Sequence, residues 1–180
     1  MLRVRDGCTE SFTLLLERHR GPVIHFLFRM EQNQGVAEEL AQEVFLRVYR
    51  SRESYEPTAK FTTWLFRIAT HLALNRIRDT RHEKGQDSLD DEVGEGMARQ
   101  VADRDLSVEQ RMLREARFAE IRKAIELLPQ KQKAAVLMHK YQEMEYAQIA
   151  GALECSESAV KSLLFRAYET LRSRLAHMAG

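Results

Sequence analysis

Between Glu145 and Arg172 the chain reads EYAQIAGALECSESAVKSLLFRAYETLR, and its residues best suited to polar recognition are Ser158, Lys161, Ser162, Phe165 and Arg166. At this spacing they share one side of a helix, opposite an apolar seam through Val160, Leu163 and Leu164. Lys and Arg reach guanine edges or phosphates, Ser bonds phosphate or bases, and Phe contacts a thymine methyl. That chemistry suits a nucleic-acid groove. A plain helical hairpin with a solvated charged face fits the same pattern, and the pattern alone leaves both open.

No comparable grouping suggests catalysis. The six histidines, His19, His25, His71, His82, His139 and His177, show no metal-ligand spacing such as HExxH. There is no Walker loop, dinucleotide fingerprint or nucleophile elbow. Neighbouring acids such as Glu38 and Glu39 point about 100° apart on a helix, so they do not converge. The expectation is a protein that is not an enzyme, with no metal and no cofactor.

The elements that must position the basic residues are helices, because apolar residues recur at three- and four-residue spacing and nowhere alternate for long. The first candidate carries Phe12, Leu15, Leu16, Ile24, Leu27 and Met30, with Gly21-Pro22 marking a break or a new start inside it. A second runs Ala37, Leu40, Ala41, Val44, Phe45, Val48, and a third Phe61, Trp64, Leu65, Ile68, Ala69, Leu72, Ala73, Ile77. Trp64 sits squarely on that third stripe, which makes it a core residue. A second group follows through Phe118, Ile121, Ile125, Leu128, Ala135, Val136, Met138, Tyr141, Tyr146, Ile149, Ala150, Leu153, Val160, Leu163, Leu164, Ala167, Leu171 and Leu175. Pro129 opens one of its helices. Lys131 and Lys133 there are either phosphate ligands at a helix N-terminus or solvated lysines.

The last two helices are joined at Cys155-Ser156, where Ser156 is a good N-cap and Glu157 complements the helix dipole. A short helix, a tight turn and a second helix make a helix-turn-helix pattern, whose second helix lies in the DNA major groove. The turn position often given to Gly carries Glu154, which costs strain if a positive φ is needed there.

Between the groups, from about Arg81 to Arg111, the periodicity fails. Charge makes the division visible. Residues 1–84 hold 14 basic and 11 acidic side chains, 85–110 hold two and eight, and 111–180 hold twelve and eight. The middle is too poor in apolar residues to offset chain entropy and reads as a flexible acidic linker. The expected fold class is therefore all-α, with small helical domains at 1–84 and 111–180 joined by a linker at 85–110.

With 28 basic against 27 acidic residues in 180, the chain is nearly neutral and is no uniformly basic nucleic-acid coat. Only Cys8 and Cys155 are present, too few for a disulfide framework or a cysteine-rich zinc site, so a reducing compartment fits. No run approaches the ~18 apolar residues of a membrane span, and the N-terminus lacks an apolar leader. The expected location is cytoplasmic, without membrane insertion.

Three stretches together carry a family resemblance. LPQKQKAAVLMHKYQEMEYAQIAGALECSESAVKSLLFRAYETLR resembles the C-terminal domain of an extracytoplasmic-function (ECF) sigma factor, the promoter-recognition subunit of bacterial RNA polymerase. AEELAQEVFLRVYR, from Ala37 to Arg50, is similar to the family's polymerase-binding helix. KFTTWLFRIATHLALNRIRD, from Lys60 to Asp79, is similar to its minus-ten and DNA-melting helix.

The resemblance implies transcription initiation and its regulation through promoter recognition, with core RNA polymerase, promoter DNA and an anti-sigma factor as partners. It assigns Glu39, Gln42, Glu43 and Arg47 to the polymerase clamp coiled coil, although each alone also suits a solvated face. It assigns Lys60, Arg67, His71, Asn75 and Arg78 to the minus-ten strand, with Arg76 and Arg81 adding phosphate attraction. His71 stands where members commonly carry Asn. The loop SRESYEPTAKF matches the element that captures a flipped base. Ser158, Lys161, Ser162, Phe165 and Arg166 face the minus-35 element. The acidic linker, with Asp87, Asp90, Asp91, Glu92 and Glu95, either mimics nucleic acid in a polymerase channel or simply tethers two domains. A helix-turn-helix activator acting without polymerase is the competing reading; it leaves the two N-terminal stretches unexplained.

Overall fold

The computed structural model describes residues 1–84 and 107–178, and among these every regular element is a helix. The bulk of the expected linker, including its candidate mimic acids, lies outside the described residues. The first bundle comprises α1 (Leu2–Arg5), α2 (Thr9–Glu31), α3 (Gln34–Arg50) and α4 (Phe61–Lys84). The second comprises α5 (Val108–Glu126), α6 (Gln130–Tyr141), α7 (Tyr146–Leu153) and α8 (Glu157–Arg174), closed by a 3₁₀ turn at Ala176–Met178.

The break expected at Gly21-Pro22 does not occur: α2 runs through Pro22 without interruption. A proline ring normally clashes with the Cβ of the residue before it, and Gly21 has none. The carbonyl of Arg18, which loses its donor, belongs to an exposed residue where water can replace the lost bond. Burial of Val23, Phe26, Leu27 and Met30 immediately beyond the proline holds the second half in register.

Helix α3 starts where Asn33 Oδ1 accepts from the Val36 N–H at 3.0 Å, and it buries Ala37, Leu40, Ala41, Val44, Phe45 and Val48, the stripe read from the sequence. Helix α5 begins inside the segment read as linker. Ser107 caps it with a reciprocal box, its Oγ accepting from the Gln110 N–H while Gln110 Oε1 accepts from the Ser107 N–H.

The bundles are docked, α4 against α7 and α2 against α6, and one apolar cluster spans both. Sequence periodicity gave no sign of this. At the seam Lys133 is 3% exposed, and its Nζ donates to the Met30 carbonyl at 3.0 Å. It is therefore neither a phosphate ligand nor a solvated lysine. The end carbonyls of α2 lack helical donors, and the buried ammonium supplies one. Burial pushes the Lys133 pKa down, opposed by the charges of Glu126 and Glu31. Arg29 stacks over Tyr141 at 4.0 Å on the same seam.

Glu31 Oε1 is buried without a partner, and burial raises this carboxyl to about 7 against the pull of Arg76 and Lys133. The folded chain therefore binds a proton here that the unfolded chain has released. The resulting contribution to stability is intact below about pH 4.5, fades as pH rises to about 7, and is absent above. Glu31→Gln should thus stabilise the chain at pH 8, by about 1 kcal/mol after discounting for partial exposure, and change little near pH 4.5. Urea midpoints of both proteins at the two pH values test this.

Candidate nucleic-acid interface

The geometry of the C-terminal site starts at its turn. Helix α7 ends on Glu154, which adopts the left-handed conformation at φ 51° and ψ 51°. The position does require a positive φ, and the glutamate bears the strain that a glycine would avoid. Two residues later Ser156 caps α8, its Oγ accepting from the Ala159 N–H at 3.2 Å, and Glu157 lies in the first turn.

Helix α8 buries Val160, Leu164 and Ala167, fully anchoring its inner side. A hydrogen bond of 2.9 Å between His139 Nδ1 and the Tyr168 hydroxyl ties α6 to α8. Burial lowers the His139 pKa, with Lys140 adding to it, and burial also raises that of Tyr168, helped by Tyr146. The neutral forms that make this bond are thereby favoured.

Ser158, Lys161, Ser162, Phe165 and Arg166 are all exposed along the outer side of α8. Phe165 is 68% exposed, an aromatic ring on the outer side of α8 with no element covering it. Ser162 Oγ donates to the Ser158 carbonyl at 3.0 Å, which leaves its oxygen as an acceptor toward solvent.

On α4, Lys60 precedes the first turn, and Trp64, Arg67, His71, Asn75 and Arg78 follow at three- and four-residue steps along one stripe. Lys60, His71, Asn75 and Arg78 are exposed, and Arg67 is partly covered. Beside this stripe the loop from Ser51 to Lys60 forms a cleft of about 570 Å³, lined by Tyr55, Trp64, Arg67 and His71 among others. Trp64 is half-buried rather than sealed in the core. Its ring packs at 5.0 Å against Tyr55, which is 7% exposed. The cleft thus combines an aromatic wall, hydroxyls, the guanidiniums of Arg47 and Arg67 and the carboxylates of Glu56 and Glu154.

The α3 candidates lie on the side away from its core stripe. Glu39, Gln42 and Arg47 are exposed, Glu43 is partly covered, and Arg47 Nε donates to Glu43 Oε1 at 2.7 Å. Leu46 stands among them at 48% exposure. Sequence reasoning passed over it because it sits off the apolar stripe; that displacement was itself the available signal. Glu154 was also missed. Its Oε1 lies 3.7 Å from Arg67 Nη1 and its Oε2 3.2 Å from His71 Nε2, so the C-terminal turn reaches the α4 stripe.

A helix-turn-helix with a bare, partly basic outer side on its second helix, docked on a helical bundle with its own basic stripe, is the architecture of a DNA-binding protein. Two family models match, Sigma-70 region 2 over residues 15–83 and Sigma-70, region 4 over residues 118–171. The RNA polymerase sigma factor CarQ of Myxococcus xanthus is 33% identical over 178 residues, covering 99% of this chain and 97% of the relative. The ECF RNA polymerase sigma factor SigW of Bacillus subtilis is 29% identical over 177 residues, covering 96% and 93%. The chain belongs to the sigma factors of RNA polymerase, in their extracytoplasmic-function group.

Solved structures share the fold. The sigma factor RpoE from Bartonella quintana, in complex with the anti-sigma factor NepR, superposes with a TM-score of 0.74 at 19% identity, covering 93% of this chain and 98% of that one. CnrH in complex with the cytosolic domain of CnrY gives 0.68 at 18% identity, covering 97% and 94%. Among the described residues no helix is long and apolar enough to cross a membrane.

Proposed function

We propose that this sigma factor docks on core polymerase through the outer side of α3 and reads a bipartite promoter with α4 and α8. Glu39, Gln42, Glu43 and Arg47 contact the polymerase. Lys60, Arg67, His71, Asn75 and Arg78, with the adjoining cleft, take the melted minus-ten strand. Ser158, Lys161, Ser162, Phe165 and Arg166 enter the major groove at the minus-35 element. The protein works in the cytoplasm and performs no catalysis of its own. Its functional units are the N-terminal domain at 1–84 and the C-terminal domain expected at 111–180, the latter extended back to the Ser107 cap of α5.

The observation that carries this reading is the exposure of Phe165 beside Lys161 and Arg166 on a capped and anchored helix. A ring left in water next to two cations fits a groove that offers thymine methyls and phosphates together. One structural relative, RpoE, was solved in complex with the anti-sigma factor NepR. That supports an anti-sigma partner for this chain.

Run-off transcription from a library of promoter fragments, with core polymerase and with or without this protein, tests the assignment. Start sites should appear only with the protein. Arg166→Ala should cut them about ten- to a hundredfold and relax preference at one base pair, as loss of a bidentate contact does. Lys161→Ala should instead weaken all promoters alike and lower the salt slope by about one. Tight operator binding without any effect on start sites would leave the autonomous activator standing.

A further inference from the structure

The loop from Ser51 to Lys60, which walls the cleft beside the α4 stripe, is tied mostly to itself and to the end of α3. Ser51 Oγ donates to the Arg47 carbonyl at 2.8 Å, Ser54 Oγ to the Ser51 carbonyl at 3.1 Å, and the Tyr55 N–H to the Arg52 carbonyl at 3.3 Å. Such local bonds shape a loop without fixing where it sits against a neighbouring helix. A further bond crosses 50 residues of sequence: Arg5 Nη1, on α1, donates to the Tyr55 carbonyl at 3.4 Å.

Both ends of that bond are anchored. Val4 is 2% exposed, and Gly7 turns the chain at a φ of 93°, which suits glycine and brings the Cys8 N–H back to the Arg3 carbonyl at 2.9 Å. Arg5 Nε lies 3.5 Å from Asp6 Oδ1, a weak second hold on the same guanidinium. Tyr55 is 7% exposed, its ring 5.0 Å from Trp64 and 6.5 Å from Phe61. The residue whose backbone Arg5 grips is therefore the one whose ring builds the aromatic wall of the cleft.

We infer that Arg5 is a positioning residue for the cleft: from α1 it holds Tyr55 against Trp64 and thereby sets the shape that receives the melted minus-ten strand. A guanidinium on a peptide carbonyl makes a charge-assisted bond, stronger than the neutral bonds within the loop. Without it the loop, which has no regular structure, is held by its ends and by one ring, and spends part of its time away from α4. A strand that needs the formed cleft then binds only the competent fraction. The placement of the loop by Arg5 stands independently of the sigma assignment; the identity of the ligand rests on it.

Trp64 is the chain's single tryptophan, so its fluorescence reports on the cleft alone. In the full chain Arg5→Ala should raise acrylamide quenching of Trp64 about twofold with unchanged far-ultraviolet circular dichroism. Assembled with core polymerase, the same variant should bind a fork-junction promoter with an exposed minus-ten strand about tenfold more weakly, while its affinity for core polymerase stays at the wild-type value. Arg5→Lys, which keeps a charged donor on a long stem, should restore most of both. Arg3→Ala, which removes the same charge from an exposed position of α1, should match the wild type.

A role confined to folding stability would lower the urea midpoint of Arg5→Ala yet leave Trp64 of the folded chain as shielded as before, and that result overturns the positioning. So does a lysine variant no better than alanine. Quenching that rises while fork-junction binding holds overturns the link from loop to strand. The quenching measurement involves neither polymerase nor DNA, so its failure is distinct from a failure of the run-off experiment.

Discussion

Phe26→Ala should cost the chain about 3–5 kcal/mol, read as a fall in the urea midpoint at unchanged slope. Phe26 is 1% exposed, and its ring meets Phe66 edge-on at 5.3 Å between centroids. It also lies one helical turn beyond Pro22, on the half of α2 whose burial keeps that helix continuous. The truncation therefore removes transfer energy, leaves a cavity between α2 and α4, and loses an aromatic pair. A loss below about 1.5 kcal/mol would mean that the bundle collapses around the site, and that the account of how α2 tolerates its proline is incomplete.

Leu46→Asp should leave stability nearly unchanged and lower affinity for core polymerase about thirtyfold or more. The residue is 48% exposed, so the folded chain loses little packing when it is replaced. A partner that buries this leucine within a ring of Glu39, Gln42 and Arg47 would instead receive an unpaired charge at the centre of its contact. Fluorescence titration of labelled protein with core polymerase measures the effect. Unchanged affinity would remove α3 from the proposed docking surface.

Much of this architecture was legible in the residues. The stripe of α3 and the cap at Ser156 follow from local rules, since spacing and capping act over one or two turns. The exposure of Ser158, Lys161, Ser162, Phe165 and Arg166 on the outer side of α8 also followed from spacing alone, since the apolar seam through Val160 and Leu164 fixes which side faces inward. What was not legible depends on contacts far apart in the chain. Nothing local to Lys133 announces that it is sealed beneath the end of α2, about a hundred residues earlier in the chain. Pro22 misled because its usual effect on a helix is cancelled by its neighbour, a glycine, and by burial downstream. Glu154 was noticed only as an unsuitable turn residue; its pairing with Arg67 and His71 became visible once α4 lay opposite it.

The buried seam between α4 and α7 also changes how the protein responds to supply. Docking within one chain is indifferent to dilution, so neither low expression nor a large cell volume opens it. A competitor must instead meet the affinity penalty set by the small open fraction. If closure is worth about 2 kcal/mol, roughly one molecule in thirty is open, and the apparent dissociation constant for any ligand requiring the open form rises about thirtyfold. Any ligand that requires the undocked arrangement then responds to its free concentration relative to that raised threshold, which packing changes along the α4–α7 contact would retune.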